Sequence, residues 1–352
     1  MHKDSNFAKA FYFLASITIF FWAINGLSNI LTPIAIAILI WFLINAFADQ
    51  IKRIPFLNNK IGEYISIPLS LVIIVYLMFE IGSFIASSMF TLSSTISSLD
   101  GKVIQLVEKL SFLTSFDLVT LLQKILQEFS LAMVINKVIS AFSTIFGNIV
   151  QILLYVLFLL LDQRFFNIKL NALFPNNEHK NRAKHVLISI SQSIKTYISI
   201  TTIISLATGF LTYLICQYFS LEGAVLWGFI AFVLNFIPTI GSIIAVLIPT
   251  IFAFIQLSLI SDVLILFTLL IIIQFVLGNI VQPRMMGDKL NISQFVVILS
   301  LVIWGAMWGT IGMFLAVPMM MILLIILSQF ESTKTLAILL SEDGKIFDKK
   351  ED

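Results

Sequence analysis

Long apolar runs separated by short polar segments make up most of this chain. A run of about 20 apolar residues is long enough to cross the hydrocarbon core of a membrane as a helix. The first run looks like a secretory signal peptide, but apolar sequence resumes at once without a clear cleavage site, which favours a membrane-anchored helical hairpin. The pattern predicts spanning helices near residues 9–28, 31–48, 66–90, 144–162, 198–219 and 262–281.

The composition agrees with a membrane protein. Hydrophobic residues make up 59% of the 352 residues and charged residues 11%, whereas about a quarter of a soluble globular protein is charged. The single cysteine, Cys216, lies in an apolar run, and the three histidines lie in polar segments. No His-plus-acid cluster or Gly-x-Ser-x-Gly elbow occurs. The sequence therefore predicts no catalytic residues, no metal site and no cofactor, and its net charge of +2 gives no reason to expect nucleic acid as a partner.

The basic residues predict the topology. Lys and Arg concentrate in the 49–65 loop, the 163–197 segment and the C-terminal tail. Basic loops tend to stay on the cytoplasmic side of a membrane. The three segments share that side if both termini are cytoplasmic and two later regions, near 222–258 and 293–328, each return to the side they entered.

The spacing of apolar residues in the 91–143 segment predicts an amphipathic helix rather than a membrane span. Within "FDLVTLLQKILQEFS", apolar residues such as Leu118, Leu122 and Ile125 share one helical face. Three placements stay open for this helix: the outer membrane surface, a neighbouring subunit, or the protein's own outer face. A second amphipathic stretch, with Ile190, Ile194 and Tyr197 aligned, follows a basic segment.

An imperfect repeat stands in the C-terminal half. "TIGSIIAV" begins at Thr239 and "TIGMFLAV" begins at Thr310, and each copy is soon followed by a proline, Pro249 or Pro318. A broken helix survives in hydrocarbon only against protein or a wet cavity, because every backbone polar group must be paired. Two such breaks approached from opposite sides are typical of inverted-repeat transporter folds. The alternative is that the small residues serve helix packing alone.

A polar patch, "QFVLGNIVQPRMMGDKLN", lies between the two copies. The amides of Gln274 and Asn279 are costly inside a membrane span, which favours a protein partner or a ligand. Arg284 carries a fixed charge and a forked set of donors. We predict a clamp or gate role for Arg284, the alternative being a basic anchor at the cytoplasmic end of a helix.

Three motifs carry a resemblance to a known family. "NFIPTIGSIIAVLIP", "GNIVQPRMMGDKLN" and "WGTIGMFLAVP", in this order and spacing, resemble the autoinducer-2 exporter (AI-2E) family of bacterial membrane proteins. The resemblance is specific over 199–328 and looser over the rest of the chain. It implies export or permeation of a small solute, and members are associated with the furanosyl signal autoinducer-2 or with exchange of Na⁺ or Li⁺ for protons. It also implies a homo-oligomer, with a ring as one arrangement, in contact with the lipids of the bacterial inner membrane.

Individual positions of this sequence match the family's motifs, and two depart from them. The matching positions are Pro238, Gly241, Pro249, Gly278, Asn279, Pro283, Arg284, Gly287, Gly309, Gly312 and Pro318. Leu277 stands where many members have an acid, and Gln294 stands where many have a proline. The missing acid weakens the case for proton or cation coupling at this position.

The fold class predicted from these observations is an all-α membrane protein with about six spans and two broken-helix hairpins in an inverted-repeat arrangement. The predicted units are a scaffold over 1–90, an outer segment over 91–143, a span with a basic amphipathic segment over 144–197, a transport module over 198–330 and a tail over 331–352.

The predicted site lies between the two breaks. The candidate solute-binding residues are Asn235, Pro238, Thr239, Gly241, Gln274, Asn279, Gly309, Thr310 and Gly312. The candidate gate or structural residues are Pro249, Gly278, Pro283, Arg284, Gly287 and Pro318. Glu80, an acid within the third span, is the candidate coupling group. We predict an alternating-access transporter of small polar solutes, with autoinducer-2 as a candidate. The alternatives are a monovalent cation/proton antiporter and a non-transporting envelope scaffold.

Overall fold

The computed structural model describes residues 2–52, 65–83, 140, 147–174, 177–287 and 291–344. The helices in this part of the chain are α1 (His2–Gly26), α2 (Ser28–Lys52), α3 (Ile65–Ser83), α4 (Ile149–Asp162), α5 (Phe166–Leu173), α6 (Asn177–Tyr218), α7 (Ala224–Leu234), α8 (Ile240–Gln256), α9 (Ile260–Phe275), α10 (Gln282–Met286), α11 (Gln294–Ser328) and α12 (Glu331–Leu340). A 3₁₀ turn, Gln163–Phe165, joins α4 to α5, and a π-helix, Val276–Val281, joins α9 to α10.

Six helical stretches of the described chain are long and apolar enough to cross a membrane. They are Ser28–Lys52, Ile65–Ser83, Ile149–Leu173, Lys180–Tyr218, Ile260–Met286 and Gln294–Ser328. Large apolar side chains remain exposed along them, for example Phe210 and Leu264. Apolar surface of this extent suits contact with lipid tails rather than water. The predicted all-α, multi-pass membrane protein is confirmed.

Helix α6 is longer than the span predicted at 198–219. It runs for 42 residues without a proline, and its first glycine is Gly209. The amphipathic stretch and the span that follows it are therefore one continuous helix. Ile194 and Tyr197 are buried in a core shared with α2 and α11, and Lys195 Nζ lies 2.7 Å from the Asp49 carboxylate at the end of α2.

Some predictions fall on residues outside those described. The amphipathic helix proposed within 91–143 is one of them, apart from residue 140. Residues 84–90 of the third predicted span and 144–146 of the fourth are also outside the described part of the chain.

Helices α7 and α8 form an antiparallel pair, here called hairpin A. The rings of Trp227 and Phe252 lie 5.0 Å apart across the pair. At the open end, the Gln256 side chain accepts a hydrogen bond from the Glu222 N–H and donates one to the Ser220 carbonyl. The chain reverses over residues 235–239, which form the tip of the hairpin.

Helix α11 also folds back on itself, and its two arms, 294–307 and 310–328, are here called hairpin B. The backbone leaves helical geometry at Trp308 and at Gly309, where φ is 62°. Ser300 Oγ donates to the Ala316 carbonyl at 3.0 Å, although the two residues are 16 positions apart. In an uninterrupted helix they would be separated by about 24 Å.

The repeated sequence begins the return arm of both hairpins. A Cβ atom added at Gly241 would lie 1.8 Å from the Leu234 carbonyl oxygen, and one added at Gly312 would lie 1.9 Å from the Trp304 carbonyl oxygen. In each hairpin the glycine of "TIG" thus lets the return arm pack directly on the backbone of the first arm. Only glycine fits this approach, because no other residue lacks Cβ.

Two further contacts hold the hairpins in the bundle. Gly209 of α6 and Gly228 of α7 face each other so closely that a Cβ on either would lie 2.7 Å from the other's carbonyl oxygen. Small residues of this kind let membrane helices pack closely. Hairpins A and B meet at Phe236 and Phe314, whose rings stack with centroids 4.8 Å apart.

We predict that Gly241→Ala and Gly312→Ala each lower the thermal stability of the purified protein. The added methyl group meets a backbone carbonyl that cannot rotate away, and overpacking of this kind costs about 1–3 kcal/mol or more. Thermal unfolding in detergent measures the effect. Gly278→Ala is the matched control, since nothing lies within 4 Å of a Cβ at that position. Equal melting temperatures for all three variants would contradict the assignment.

Candidate functional site

A cavity of about 800 Å³ lies between the tip of hairpin A, the α9–α10 segment and the start of α11. Its volume is within the usual range for ligand pockets, about 300–1,000 Å³. Its wall is mainly apolar, with amides and hydroxyls distributed among the apolar side chains. The polar side chains that line it include Asn235, Thr239, Ser242, Gln274, Asn279, Gln282, Gln294 and Glu342.

Gln274 is the polar residue whose environment most needs explanation. It lies in α9, is 9% exposed and lines the cavity. Neither its amide nitrogen nor its amide oxygen has a hydrogen-bond partner among the described residues. A buried polar group without a partner costs about 1–3 kcal/mol. Gln274 is therefore a lining residue whose buried amide keeps an unused donor and an unused acceptor.

The π-helix places Gly278 and Asn279 on the cavity wall. The Gln282 N–H bonds to the Leu277 carbonyl, five residues earlier. The cause lies in the next residue: Pro283 has no N–H to offer the carbonyl of residue 279, and its ring would clash with that carbonyl in an α-helix. The helix widens instead, as it often does at functional sites.

The tip of hairpin A is anchored to α6 by a buried hydrogen bond. Asn235 Nδ2 donates to Ser205 Oγ at 3.0 Å, and the two residues are 7% and 0% exposed. This bond fixes the end of α7 beside the cavity, where Asn235 contributes to the wall.

Thr239 at the same tip holds a strained backbone conformation. Its φ and ψ are 61° and −62°, and the Ile240 N–H bonds to the Pro238 carbonyl at 2.6 Å. This is a γ-turn with a positive central φ, which is rare and strained, and for a β-branched residue such a conformation costs about 1–3 kcal/mol. In hairpin B the positive φ falls on Gly309 instead, one residue before Thr310. The strain is therefore specific to the tip that lines the cavity.

The C-terminal tail completes the mouth of the cavity. The Asn291 side chain accepts hydrogen bonds from the Glu342 and Asp343 N–H groups and donates one to the Asp343 carboxylate at 2.6 Å. These bonds hold Glu342 at the wall, where it is the one charged residue among the described residues that line the cavity.

The structure brings together only part of the predicted site. Asn235, Pro238, Thr239, Gln274 and Asn279 line the large cavity, with the predicted structural residues Gly278, Pro283 and Gly287. Gly309, Thr310 and Gly312 do not line it. Residues next to this second break, such as Trp308, line a separate cavity of about 320 Å³. The tips of the two hairpins thus line different cavities instead of one shared site.

The other predicted residues have different surroundings. Gly241 packs against hairpin A itself, and the two repeat prolines, Pro249 and Pro318, are buried inside the return arms. Arg284 is exposed and does not line the cavity, and Glu80 is exposed on α3. The functional roles suggested for all these residues stay predictions.

Sequence reasoning missed five polar residues of the wall, among them Tyr197, which stood out only for its place on an amphipathic face. Ser242 and Gln282 are polar residues next to predicted site residues in the same motifs, and this could have identified them. Gln294 stood out only as a departure from the family pattern. Glu342 carried no signal, because its position depends on a contact with Asn291, 51 residues away.

An apolar helical bundle with two broken hairpins and an amide-lined cavity is the architecture of a multi-pass membrane transporter. The family described as AI-2E family transporter matches residues 11–332. The chain belongs to this family, as the motifs predicted. Because it is a family of transporters, the prediction that the chain is not an enzyme is also confirmed.

Relatives of known name extend over nearly the whole chain. The "AI-2 transport protein TqsA" of Escherichia coli K12 is 27% identical over 97% of this chain and 97% of its own length. A "Putative transport protein" of Haemophilus influenzae is 29% identical, with 97% of this chain and 99% of the relative covered. The "Putative transport protein YhhT" of Escherichia coli K12 is 25% identical, with 93% and 92% covered.

We predict that Thr239→Gly raises the melting temperature of the protein, whereas Thr310→Gly lowers it. Glycine relieves the strain at Thr239, but in the helical conformation at Thr310 it costs about 0.5–1 kcal/mol relative to a residue with a side chain. Thermal unfolding of the two variants in the same detergent makes the comparison. A similar loss of stability in both would show that Thr239 is not strained.

Proposed function

We propose that this protein transports a small, uncharged, polar solute across the bacterial inner membrane, and that the large cavity is its binding site. The observation that carries the proposal is the unpartnered amide of Gln274, which is buried in the wall of the cavity. Autoinducer-2 is the first candidate solute, because a relative aligned over 97% of the chain is named as an AI-2 transport protein.

The chemistry of the wall supports an uncharged solute over an ion. Among the described residues of the lining, amides and hydroxyls outnumber the one carboxylate, which belongs to Glu342. Such groups replace the hydrogen bonds that a polar solute loses when it leaves water. A furanosyl compound offers hydroxyl donors and ring and hydroxyl acceptors that match the free donor and acceptor of Gln274.

The arrangement of the hairpins supports alternating access as the mechanism. Hairpin A carries a strained tip on the cavity wall, and strain of this kind is often part of a conformational change. Hairpin A meets hairpin B through Phe236 and Phe314. A solute that binds at the tip can therefore shift one hairpin relative to the other. The proposal includes a homo-oligomer with both termini cytoplasmic, which the family resemblance and the basic loops support.

We predict that Gln274→Leu reduces autoinducer-2 flux at least tenfold while thermal stability is retained or raised. Loss of one hydrogen bond to the solute, about 1.4 kcal/mol, corresponds to tenfold in affinity, and removal of an unpaired amide does not destabilise the empty protein. Uptake of labelled autoinducer-2 by proteoliposomes measures the flux. The control is Gln151→Leu, since Gln151 also lies in a span, but its side chain bonds to Tyr155 Oη at 2.8 Å.

The same preparation tests the alternatives. If the wild-type protein transports autoinducer-2 and the Gln274→Leu variant transports it equally fast, the large cavity is not the binding site. Sodium-dependent proton movement without autoinducer-2 flux would support the cation/proton antiporter. If the folded, reconstituted protein shows neither autoinducer-2 flux nor sodium-dependent proton movement, the scaffold alternative gains support.

A further inference from the structure

A second cavity, of about 320 Å³, lies at the tip of hairpin B. It is bounded by the start of α2, the start of α4 and the break in α11. Its polar lining residues are Ser28, Asn29, Thr32, Asn148 and Trp308, and none of the described residues that line it is charged. The small cavity therefore shares hydroxyls and amides with the large one, but not its carboxylate.

Trp308 is a lining residue of this cavity with an unused hydrogen-bond donor. Its indole Nε1 is buried and has no hydrogen-bond partner among the described residues. The residue stands at the backbone break itself, with φ −124° and ψ 16°. The small cavity thus repeats the arrangement of the large one, in which Gln274 is the unpartnered group.

The return arm of hairpin B connects the two cavities. Ile311 lines the small cavity and Val317 lines the large one. Phe314 lies midway, one helical turn from each, and the two lining residues are about 9 Å apart along the helix axis. The first arm shows the same order, since Val297 lines the large cavity and Met307 lines the small one.

An aromatic pair lies between residues that line the two cavities. Phe314 stacks on Phe236 with an interplanar angle of 24°, and neither ring lines either cavity. Phe236 belongs to the tip of hairpin A, between Asn235 and Pro238 of the large cavity wall. The stack therefore joins the two hairpins at a position between residues of the two cavity walls.

We propose that the small cavity is a second binding site for the same polar solute, and that the Phe236–Phe314 stack is the barrier between the two sites. This inference rests on the proposed function. The solute would pass from one cavity to the other when the hairpins shift and the rings separate. The hydrogen-bonding groups around Trp308 would then replace those around Gln274.

Thiol accessibility tests the barrier without requiring a known solute. Cys216 is buried, and Cys216→Ser gives a background without thiols, into which Ile311→Cys is introduced as a reporter. A membrane-impermeant thiol reagent is applied to vesicles of each orientation. We expect the Ile311→Cys thiol of the parent protein to be labelled from one side of the membrane only. When Phe314→Ala is added, we expect labelling from the other side to become at least tenfold faster. Phe314→Leu, which keeps an apolar side chain but removes the stack, is a second variant in case the alanine variant does not fold.

Phe232→Ala is the matched control for the barrier. Phe232 contacts Phe236 with ring centroids 5.6 Å apart, but within hairpin A. One-sided labelling is expected to persist in this variant. If labelling stays one-sided in the Phe314 variants as well, or if the parent already labels equally from both sides, the stack is not the barrier.

Trp308→Phe tests the second binding site. The substitution keeps an aromatic ring and removes the N–H, so we expect a lower flux of autoinducer-2 and weaker protection of the Ile311→Cys thiol by autoinducer-2. Unchanged flux and protection would overturn the second site. Wild-type protein that neither transports nor is protected by autoinducer-2 would instead count against the proposed solute, while the accessibility result still decides the barrier.

Discussion

The close approach of a glycine to a backbone carbonyl at each hairpin tip is the contact on which the rest of the structure depends. Gly241 packs on the Leu234 carbonyl and Gly312 on the Trp304 carbonyl. In hydrocarbon a helix that ends must do so against protein or a wet cavity. By packing the arms this tightly, the glycines allow the chain to reverse inside the bundle, with the freed tips placed at cavities.

The functional features follow from these two reversals. The tip of hairpin A brings Asn235 and the strained Thr239 beside Gln274 and the π-helix, which gives the large cavity its polar wall. The tip of hairpin B lines the smaller cavity. Because the hairpins meet at Phe236 and Phe314, a shift of one hairpin would bear directly on the other, which is the coupling that the proposed alternating access requires.

Much of this architecture could be predicted from sequence because apolar length and backbone breaks are local signals. The runs predicted the membrane helices, and "TIG" marks the start of the return arm in both hairpins. The amides of Gln274 and Asn279 were recognisable because polar groups are costly in a span. The relative placement of the tips was not predictable, because sequence spacing does not determine whether two hairpin tips line the same cavity. For the same reason the role of Asn291 in holding Glu342 at the cavity was not evident.

The most direct test of the central claim is whether autoinducer-2 protects a thiol placed in the large cavity. Ser242→Cys in the Cys216→Ser background puts a side chain of similar size on the wall, and Ser332→Cys on the exposed face of α12 provides a thiol outside it. The account predicts that increasing autoinducer-2 slows labelling at position 242 in a saturable manner and leaves labelling at 332 unchanged. Equal labelling rates at position 242 with and without autoinducer-2, in protein that transports it, would contradict the account.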